Sequence, residues 1–383
     1  MTPASLAPDR ERRRRPRWPC SNTPTLSIIV PFHRNLIDLG RCLAALAKLP
    51  SGAEVIVVAD GAVDDCRLLV KEAGARLLEI PGPSGPAIAR NRGAALARGD
   101  VLVFVDSDVV VAPDALARIV QGFRAQPHVQ AIFGTYDDVP GSLNFVSQYK
   151  NLAHAFVHRS SSTVAATFWS GLGAIRTRAF WSVGGFDERF PRPCIEDIDL
   201  GYRLHARGCP IRLDYELRGC HLKRWTFMAM VVSDVLDRGI PWTQVIMRAG
   251  RVHNDLNLKS AYRVSVALAY ALLLGLGLAV ANAAWLYAAI PIIAALFILN
   301  RRFYGFFVRT KGLLFALRLV PLHYLYHLYN GVSFALGTTI YLAARLRRGR
   351  VPGALPFTPW SGPGTETWDV REWQPKEAAT GVE

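Results

Sequence analysis

Val101-Leu102-Val103-Phe104-Val105-Asp106-Ser107-Asp108 is the stretch on which the reading of this sequence turns. Five consecutive apolar residues, mostly β-branched, make a strand buried on both faces, and a carboxylate follows with no spacer. Charged groups at the end of a buried strand need a partner. Strand alternation would set Asp106 and Asp108 on the same side, where hard oxygens can hold Mg2+ or Mn2+ against a diphosphate; a solvated loop is the alternative.

Upstream the same pattern repeats. Leu26-Ser27-Ile28-Ile29-Val30-Pro31 is another continuous apolar run, and Leu36, Leu39, Leu43 and Leu46 follow at helical spacing. Strands at 54–59 and 76–80 alternate with helices at 64–73 and 85–97. Such alternation predicts a mostly parallel α/β sheet with helices on both faces, and ligands beyond the carboxyl ends of its strands. The second strand closes on Ala59-Asp60-Gly61-Ala62. A carboxylate there can accept hydrogen bonds from a nucleobase or ribose, or the Asp-Gly pair can simply serve a turn. Gly82-Pro83-Ser84-Gly85-Pro86 lacks the Lys-Ser/Thr of a phosphate-binding P-loop and reads as a loop that shapes the site. Arg90, in the helix behind it, is a phosphate contact or a structural one. Downstream, Glu196 and Asp197 open a helix at 198–206, where unpaired N–H groups and the helix dipole favour carboxylates. His33, His154, His158 and His205 show no ligand spacing, and the aromatic stretch 156–169 reads as core.

Composition sets the wider frame. The 383 residues carry 45 Lys and Arg against 30 Asp and Glu, a net charge of +15, yet 51% of them are hydrophobic. Apolar and charged residues therefore belong to different regions, which excludes a disordered chain and leaves nucleic acid or a membrane to explain the basic surplus. Six cysteines without a C-x-x-C pair read as reduced thiols of a cytoplasmic domain. The Pro-rich start with Arg12 to Arg15 has no apolar segment behind it and reads as a solvated tail rather than a signal peptide. From Val264 to Asn300 no charged residue occurs, which fits two membrane-spanning helices broken near Ala281-Asn282-Ala283. Lys259, Arg263, Arg301, Arg302, Arg309 and Lys311 flank them, so the positive-inside rule places the α/β domain in the cytoplasm. Residues 313–344 fit an interfacial helix leading into a third span, or a re-entrant hairpin. With a membrane to account for the charge, nucleic acid is not needed as a partner.

Six short motifs, in order, carry a family resemblance. They are Ser27-Ile28-Ile29-Val30-Pro31, Val58-Ala59-Asp60-Gly61, Ala89-Arg90-Asn91-Arg92-Gly93, Asp106-Ser107-Asp108, Gly184-Gly185-Phe186-Asp187-Glu188 and Glu196-Asp197-Ile198-Asp199-Leu200. Together they resemble the inverting family 2 glycosyltransferases, over about residues 25–224. The resemblance implies a GT-A fold, a Rossmann-like nucleotide-diphospho-sugar transferase sandwich, here followed by interfacial and transmembrane helices. It implies that Pro31 and Asp60 line the nucleotide pocket, with Asp106 and Asp108 as the D-x-D motif and Asp108 on the metal. Asp197, paired with Glu196, would then be the catalytic base. Ala59 stands where the family usually has a first Asp, and Ala62 where it has Ser. His221-Leu222-Lys223-Arg224-Trp225 is similar to the Q-x-x-R-W motif of processive synthases, which would place Arg224 and Trp225 beside the acceptor and diphosphate; a basic start to an interfacial helix is the other reading.

The resulting expectation divides the chain into a basic tail (1–25), a catalytic domain (26–225), interfacial amphipathic helices (226–260), transmembrane helices (261–346) and an irregular tail (347–383). Its function is transfer of a sugar from a nucleotide-diphospho-sugar to a lipid, lipid-linked or glycan acceptor, with Mg2+ or Mn2+, by a multi-pass protein of the inner (plasma) membrane. A processive polysaccharide synthase and an inactive nucleotide-sugar-binding scaffold are the rivals.

Overall fold

The computed structural model describes residues 23–49, 52–61, 66–250 and 256–348. Nearly all of the basic tail, including Arg12 to Arg15, lies outside the described residues, as do 62–65 of the Asp-Gly turn and the tail beyond 348.

The first half folds as its apolar runs predict. Strands β1 (Leu26–Phe32), β2 (Glu54–Asp60), β3 (Arg76–Ile80) and β4 (Val101–Val105) pair in parallel in the order β3-β2-β1-β4. The helices between them are α1 (Leu36–Ala47), α2 (Cys66–Glu72) and α3 (Pro86–Leu96). In α1 the residues Leu39, Cys42, Leu43 and Leu46 are buried, one stripe at helical spacing that seals the sheet face. Every residue of β4 is buried, as expected for a strand covered on both faces. Strand order reverses at β1, which has β2 on one side and β4 on the other. The carboxyl ends around β1 therefore form the crevice where such sheets take ligands.

The second half departs from the expected parallel pattern. It runs β5 (Val109–Val111), α4 (Ala115–Ala125), β6 (Ala131–Tyr136), α5 (Phe145–Arg159), β7 (Val164–Ala165), β8 (Leu172–Arg176), α6 (Thr177–Ser182), α7 (Glu196–Ala206) and β9 (Ile211–His221). The sheet continues β4-β8-β6-β9-β5, with β8 antiparallel to both β4 and β6, and β5 and β7 antiparallel to β9. The extension is therefore mixed, since only β6 and β9 in it run parallel to each other.

Beyond β9 the chain builds a helical layer. α8 (Phe227–Val232) passes through a π-helical turn at Ser233–Gly239 into α9 (Ile240–Ala249), followed by α10 (Ser260–Ala279), α11 (Trp285–Leu299), α12 (Arg301–Lys311) and α13 (Leu313–Arg348). Two apolar clusters fasten this layer to the sheet domain. Trp242, Val245 and Ile246 of α9 pack with Ile195 and Tyr202, and Phe303 and Phe307 of α12 pack with Tyr149 and Leu152 of α5.

The expected multi-pass topology is corrected here. Among the described residues one helix, α10, is long and apolar enough to cross a membrane; a second qualifies only if α11 and α12, bent by 63° against each other, count as one span. α11 alone, at about 1.5 Å per residue, is some 22 Å long and short of a bilayer core. The bend lies at a contact with another helix. Asn300 ends α11 and starts α12, and its side-chain amide donates to the Leu296 carbonyl and to Ser265 Oγ of α10 (2.9 and 3.0 Å). Residues 313–344 form neither a third span nor a re-entrant hairpin: α13 is one continuous 36-residue helix that buries His323 and His327. The placement of this chain as a multi-pass inner-membrane protein does not stand.

Candidate active site

Asp60, Asp106 and Asp108 all sit at the carboxyl edge of the parallel strands, and Pro31 lies half-buried near the end of β1. Asp60 is nearly enclosed, and its two carboxylate oxygens accept the backbone N–H groups of Ser84 and Gly85, each at 2.7 Å. It thereby ties down the 82–86 loop, the shaping role expected of that loop. Gly85 has φ +98, and a Cβ there would stand 2.5 Å from the Pro191 carbonyl oxygen, so only glycine fits. An ionised carboxylate has about four acceptor sites, so two used by the loop leave capacity toward a ligand.

The two carboxylates after β4 take different partners. Val109 N donates to the Asp106 carbonyl at 2.9 Å, closing a turn in which strand alternation no longer applies. Asp106 Oδ1 accepts from Arg90 Nη2 at 2.7 Å, whereas Asp108 Oδ2 lies 3.4 Å from His221 Nε2. Burial alone would push the Asp108 carboxyl up, but His221 and Lys223 outweigh it and hold the group below the usual range. Among the described residues no cluster of three or more His, Cys, Asp or Glu side chains could cage a metal ion. Two hard oxygen donors fit a divalent cation that draws the rest of its shell from phosphate oxygens and water.

Arg90 bridges two parts of the site. It is 4% exposed and bridges Asp106 to Glu196, with Nη1 to Glu196 Oε1 also at 2.7 Å. Burial disfavours its charge, but the two carboxylates more than offset that and hold its proton more tightly than usual. The other oxygen of Glu196 accepts from Cys194 N at 2.8 Å, so the start of α7 is fixed relative to the turn after β4. Asn91, buried beside Arg90, exchanges hydrogen bonds with both Phe186 N and Phe186 O at 2.9 Å. Gly185 just before it has φ +72, and a Cβ would meet Asn91 Oδ1 at 2.7 Å. The 184–188 and 89–93 motifs are thus two halves of one clamp.

Asp197 is the perturbed carboxylate. Its Oδ1 accepts from Ile198 N (2.8 Å) and its Oδ2 from Ser170 N (3.2 Å). Burial and the neighbouring charge of Glu196 push its pKa up to about 6, against the opposing pull of Arg90 and the Ser170 N–H. It lines a cavity of about 480 Å3 between the sheet domain and the helical layer. Sequence reasoning missed most of that wall. Trp169 and His154, assigned to core or to no role, line it, as does His221, whose ring stacks on Tyr136 at 4.4 Å. Trp225 lines it too, anchored by Ser147 Oγ at 2.7 Å. Arg224 is exposed and stands outside the cavity wall. The basic group near Asp108 is its neighbour Lys223, whose Nζ lies 4.1 Å from the Trp225 ring centroid.

Comparison with known proteins finds a family match and several sequence relatives. Residues 27–184 match the family model for glycosyl transferase family 2. Validoxylamine A glucosyltransferase of Streptomyces hygroscopicus subsp. limoneus is 28% identical over 234 residues, 52% of this chain and 52% of that protein. An uncharacterized glycosyltransferase of Haemophilus influenzae is 30% identical over 216 residues, 52% of this chain and 69% of that protein. Among solved structures, a mannosyltransferase from Pyrobaculum calidifontis in complex with GDP-Man and Mn2+ has a TM-score of 0.49 at 17% identity, over 84% of this chain and 86% of that one. The chain spans about half the length of the first curated relatives it matches.

Proposed function

The chain belongs to glycosyl transferase family 2, and from that premise we propose that it moves a hexose from a nucleotide-diphospho-sugar to a hydroxyl of a lipid or lipid-linked acceptor, with inversion. The observation that carries this reading is the position of Asp197. It stands where the nucleotide edge of the sheet meets a cavity large enough for an acceptor, and Arg90 ties both sides together.

The chain's residues divide the work. Pro31 and Asp60 border the nucleotide, and Asp108, with Asp106 beside it, would hold a divalent cation. When bound, such a cation supplies Lewis-acid stabilisation of the charge that develops on the leaving diphosphate. Lys223 adds positive charge on the same side. An acceptor hydroxyl is a weak nucleophile near neutral pH, and Asp197 takes its proton as the new bond to the anomeric carbon forms and the bond to the diphosphate breaks. The nucleoside diphosphate departs with the bonding electrons. General-base assistance of this kind contributes about 10²–10⁴ in rate. Glu196 acts through Asp197, keeping its proton affinity high.

Acceptor delivery from a lipid surface is supported by the exposed apolar faces of α10 and α11, where Val280 is 91% and Leu274 64% exposed. Arg224, turned to solvent, lends no support to the processive alternative, and the intact carboxylate set speaks against an inactive scaffold.

The test offers purified protein in detergent a panel of labelled nucleotide sugars with Mg2+ or Mn2+ and total membrane lipid. A labelled lipid of discrete size is the expected product; a high-mass ladder would favour processive synthesis, and donor binding without transfer or hydrolysis would overturn the enzymatic reading. Asp108→Ala should weaken metal-dependent donor affinity, and unchanged affinity would remove it as the cation's ligand.

A further inference from the structure

The cavity beside Asp197 holds an unusual number of unpaired polar atoms. Trp225 Nε1, Trp242 Nε1, Asn151 Nδ2, Thr167 Oγ1 and both ring nitrogens of His327 are buried without a hydrogen-bond partner among the described residues, and all five residues line this one cavity. Buried polar groups in folded proteins are almost always satisfied, so a cluster of them among the residues of a single wall points to a ligand that belongs there. The first three can only donate. Arg238, half-buried in the same wall, makes no hydrogen bond or ion pair with any described residue, and its charge is felt by Asp197. Of the two other cations of the wall, Lys150 is already neutralised by Asp234, which also accepts from Tyr329, and Arg263 is exposed to solvent.

Arg238 owes its place to the π-helical turn at Ser233–Gly239. Such turns are rare and cluster at functional sites because the inserted residue re-aims side chains within an otherwise continuous helix. Gly239 lets the turn sit against α13, where a Cβ would stand 2.5 Å from Ser333 Cβ. From Arg238 the wall continues along Tyr262, Arg263 and Val266 of α10, the helix that exposes apolar side chains further on.

We propose that this cavity binds the acceptor, and that the acceptor is an anionic hydroxylated lipid. Its oxyanion sits against Arg238 and the indole N–H groups, its free hydroxyl faces Asp197, and its apolar tail leaves along α10. Three donor-only atoms and an unpaired guanidinium in one wall favour a group that only accepts, which an ionised phosphate or carboxylate does and a neutral polyol does not, while Thr167 and His327 can take either role. The attacking hydroxyl is a separate group of the same head, because an oxyanion has no proton for Asp197 to take. The inference deepens the acceptor half of the proposed transfer and rests on it.

The test is direct binding, read by quenching of the cavity tryptophans with the full chain in amphipol. Three probes are used below their micelle concentrations: dihexanoyl phosphatidylglycerol, dihexanoyl phosphatidylcholine and glycerol 3-phosphate. The first should bind at least tenfold more tightly than either of the others. Arg238→Gln should abolish that preference while leaving the weak phosphatidylcholine binding within twofold, and Trp242→Phe, which keeps the ring but removes the N–H, should weaken phosphatidylglycerol binding about three- to tenfold. Equal binding of the two lipids, equal binding of glycerol 3-phosphate, or an Arg238→Gln variant that folds and keeps the preference would each overturn the proposal. Nucleotide-sugar binding on the same preparation separates the two readings. Intact donor binding and lipid transfer without phosphatidylglycerol preference sinks the headgroup assignment alone, whereas lipid binding without donor binding sinks the transferase reading.

Discussion

In the proposed transfer Asp197 is the base, and its elevated proton affinity makes measurable predictions. With a pKa of about 6, the group is ionised near neutrality yet still basic enough to take a proton. Below that value kcat/KM should fall about tenfold per pH unit, with a plateau above it; a flat profile from pH 5 to 7 would exclude Asp197 as the base. Asp197→Asn should retain donor binding and lose turnover by about 10² or more. The same shift has a cost in stability. Between about pH 4 and 6 the folded state holds a proton that the unfolded state has lost, so this group's contribution falls as pH rises through that window and stays unfavourable above it. Asp197→Asn removes the penalty, so its melting temperature should climb relative to the parent from pH 4 to 6, by the equivalent of at most ~3 kcal/mol. Arg90 carries the opposite balance. Removing a guanidinium held between two carboxylates leaves buried negative charge uncompensated, and Arg90→Met should cost about 3–5 kcal/mol in chemical denaturation. Asp60, Asp106, Asp108 and Asp197 were legible as carboxylates at strand or helix ends, and Arg90 as a charge within the helix behind the 82–86 loop. Which of them pair with one another was not, because Arg90 and Glu196 stand 106 positions apart.

Among the elements, β1 to β4 and the helices between them could be read from apolar runs and helical spacing, since burial on both faces leaves a continuous signature. β8, β9 and the mixed half of the sheet could not, because strand direction is a property of pairing and not of the strand's own residues. The clamp between α3 and the 184–188 segment is likewise a pairing, made by Asn91 at its buried centre and by Arg92 to Glu188 at its edge. Asn91→Ala would leave Phe186 N and O without partners inside the core and should destabilise the fold by about 2–4 kcal/mol. It should also lower kcat more than donor affinity, since α7 and Asp197 follow the clamp; an unchanged kcat would show that α7 is held by Arg90 alone. In the helical layer the break near 281–283 was legible from sequence and falls between α10 and α11. The bend at Asn300 was not, because it depends on a hydrogen bond to Ser265 in another helix.

At the scale of the whole molecule, an α/β sheet and a helical layer enclose one cavity, and the apolar end of that layer lies open. If α10 and α11 rest on lipid, the protein should float with liposomes in a density gradient, and replacing Leu274 and Val280 by Asp should reduce the bound fraction several-fold without changing donor affinity. Recovery of the parent protein at the bottom of the gradient would remove the lipid surface from the proposal. By itself the sequence determined the strand-end carboxylates, the parallel half of the sheet and the uncharged stretch after Val264, because burial and charge leave local patterns that one chain displays. Only the tertiary structure decided that Arg90 is a bridge, that Arg224 faces away while Trp225 faces in, that residues 313–344 belong to one helix, and that a cavity exists at all. A cavity is the space left between elements, and its walls here come from β6, α5, α7, β9 and four helices of the C-terminal layer. No single segment of chain carries the pattern of a wall whose other members lie a hundred or more residues away.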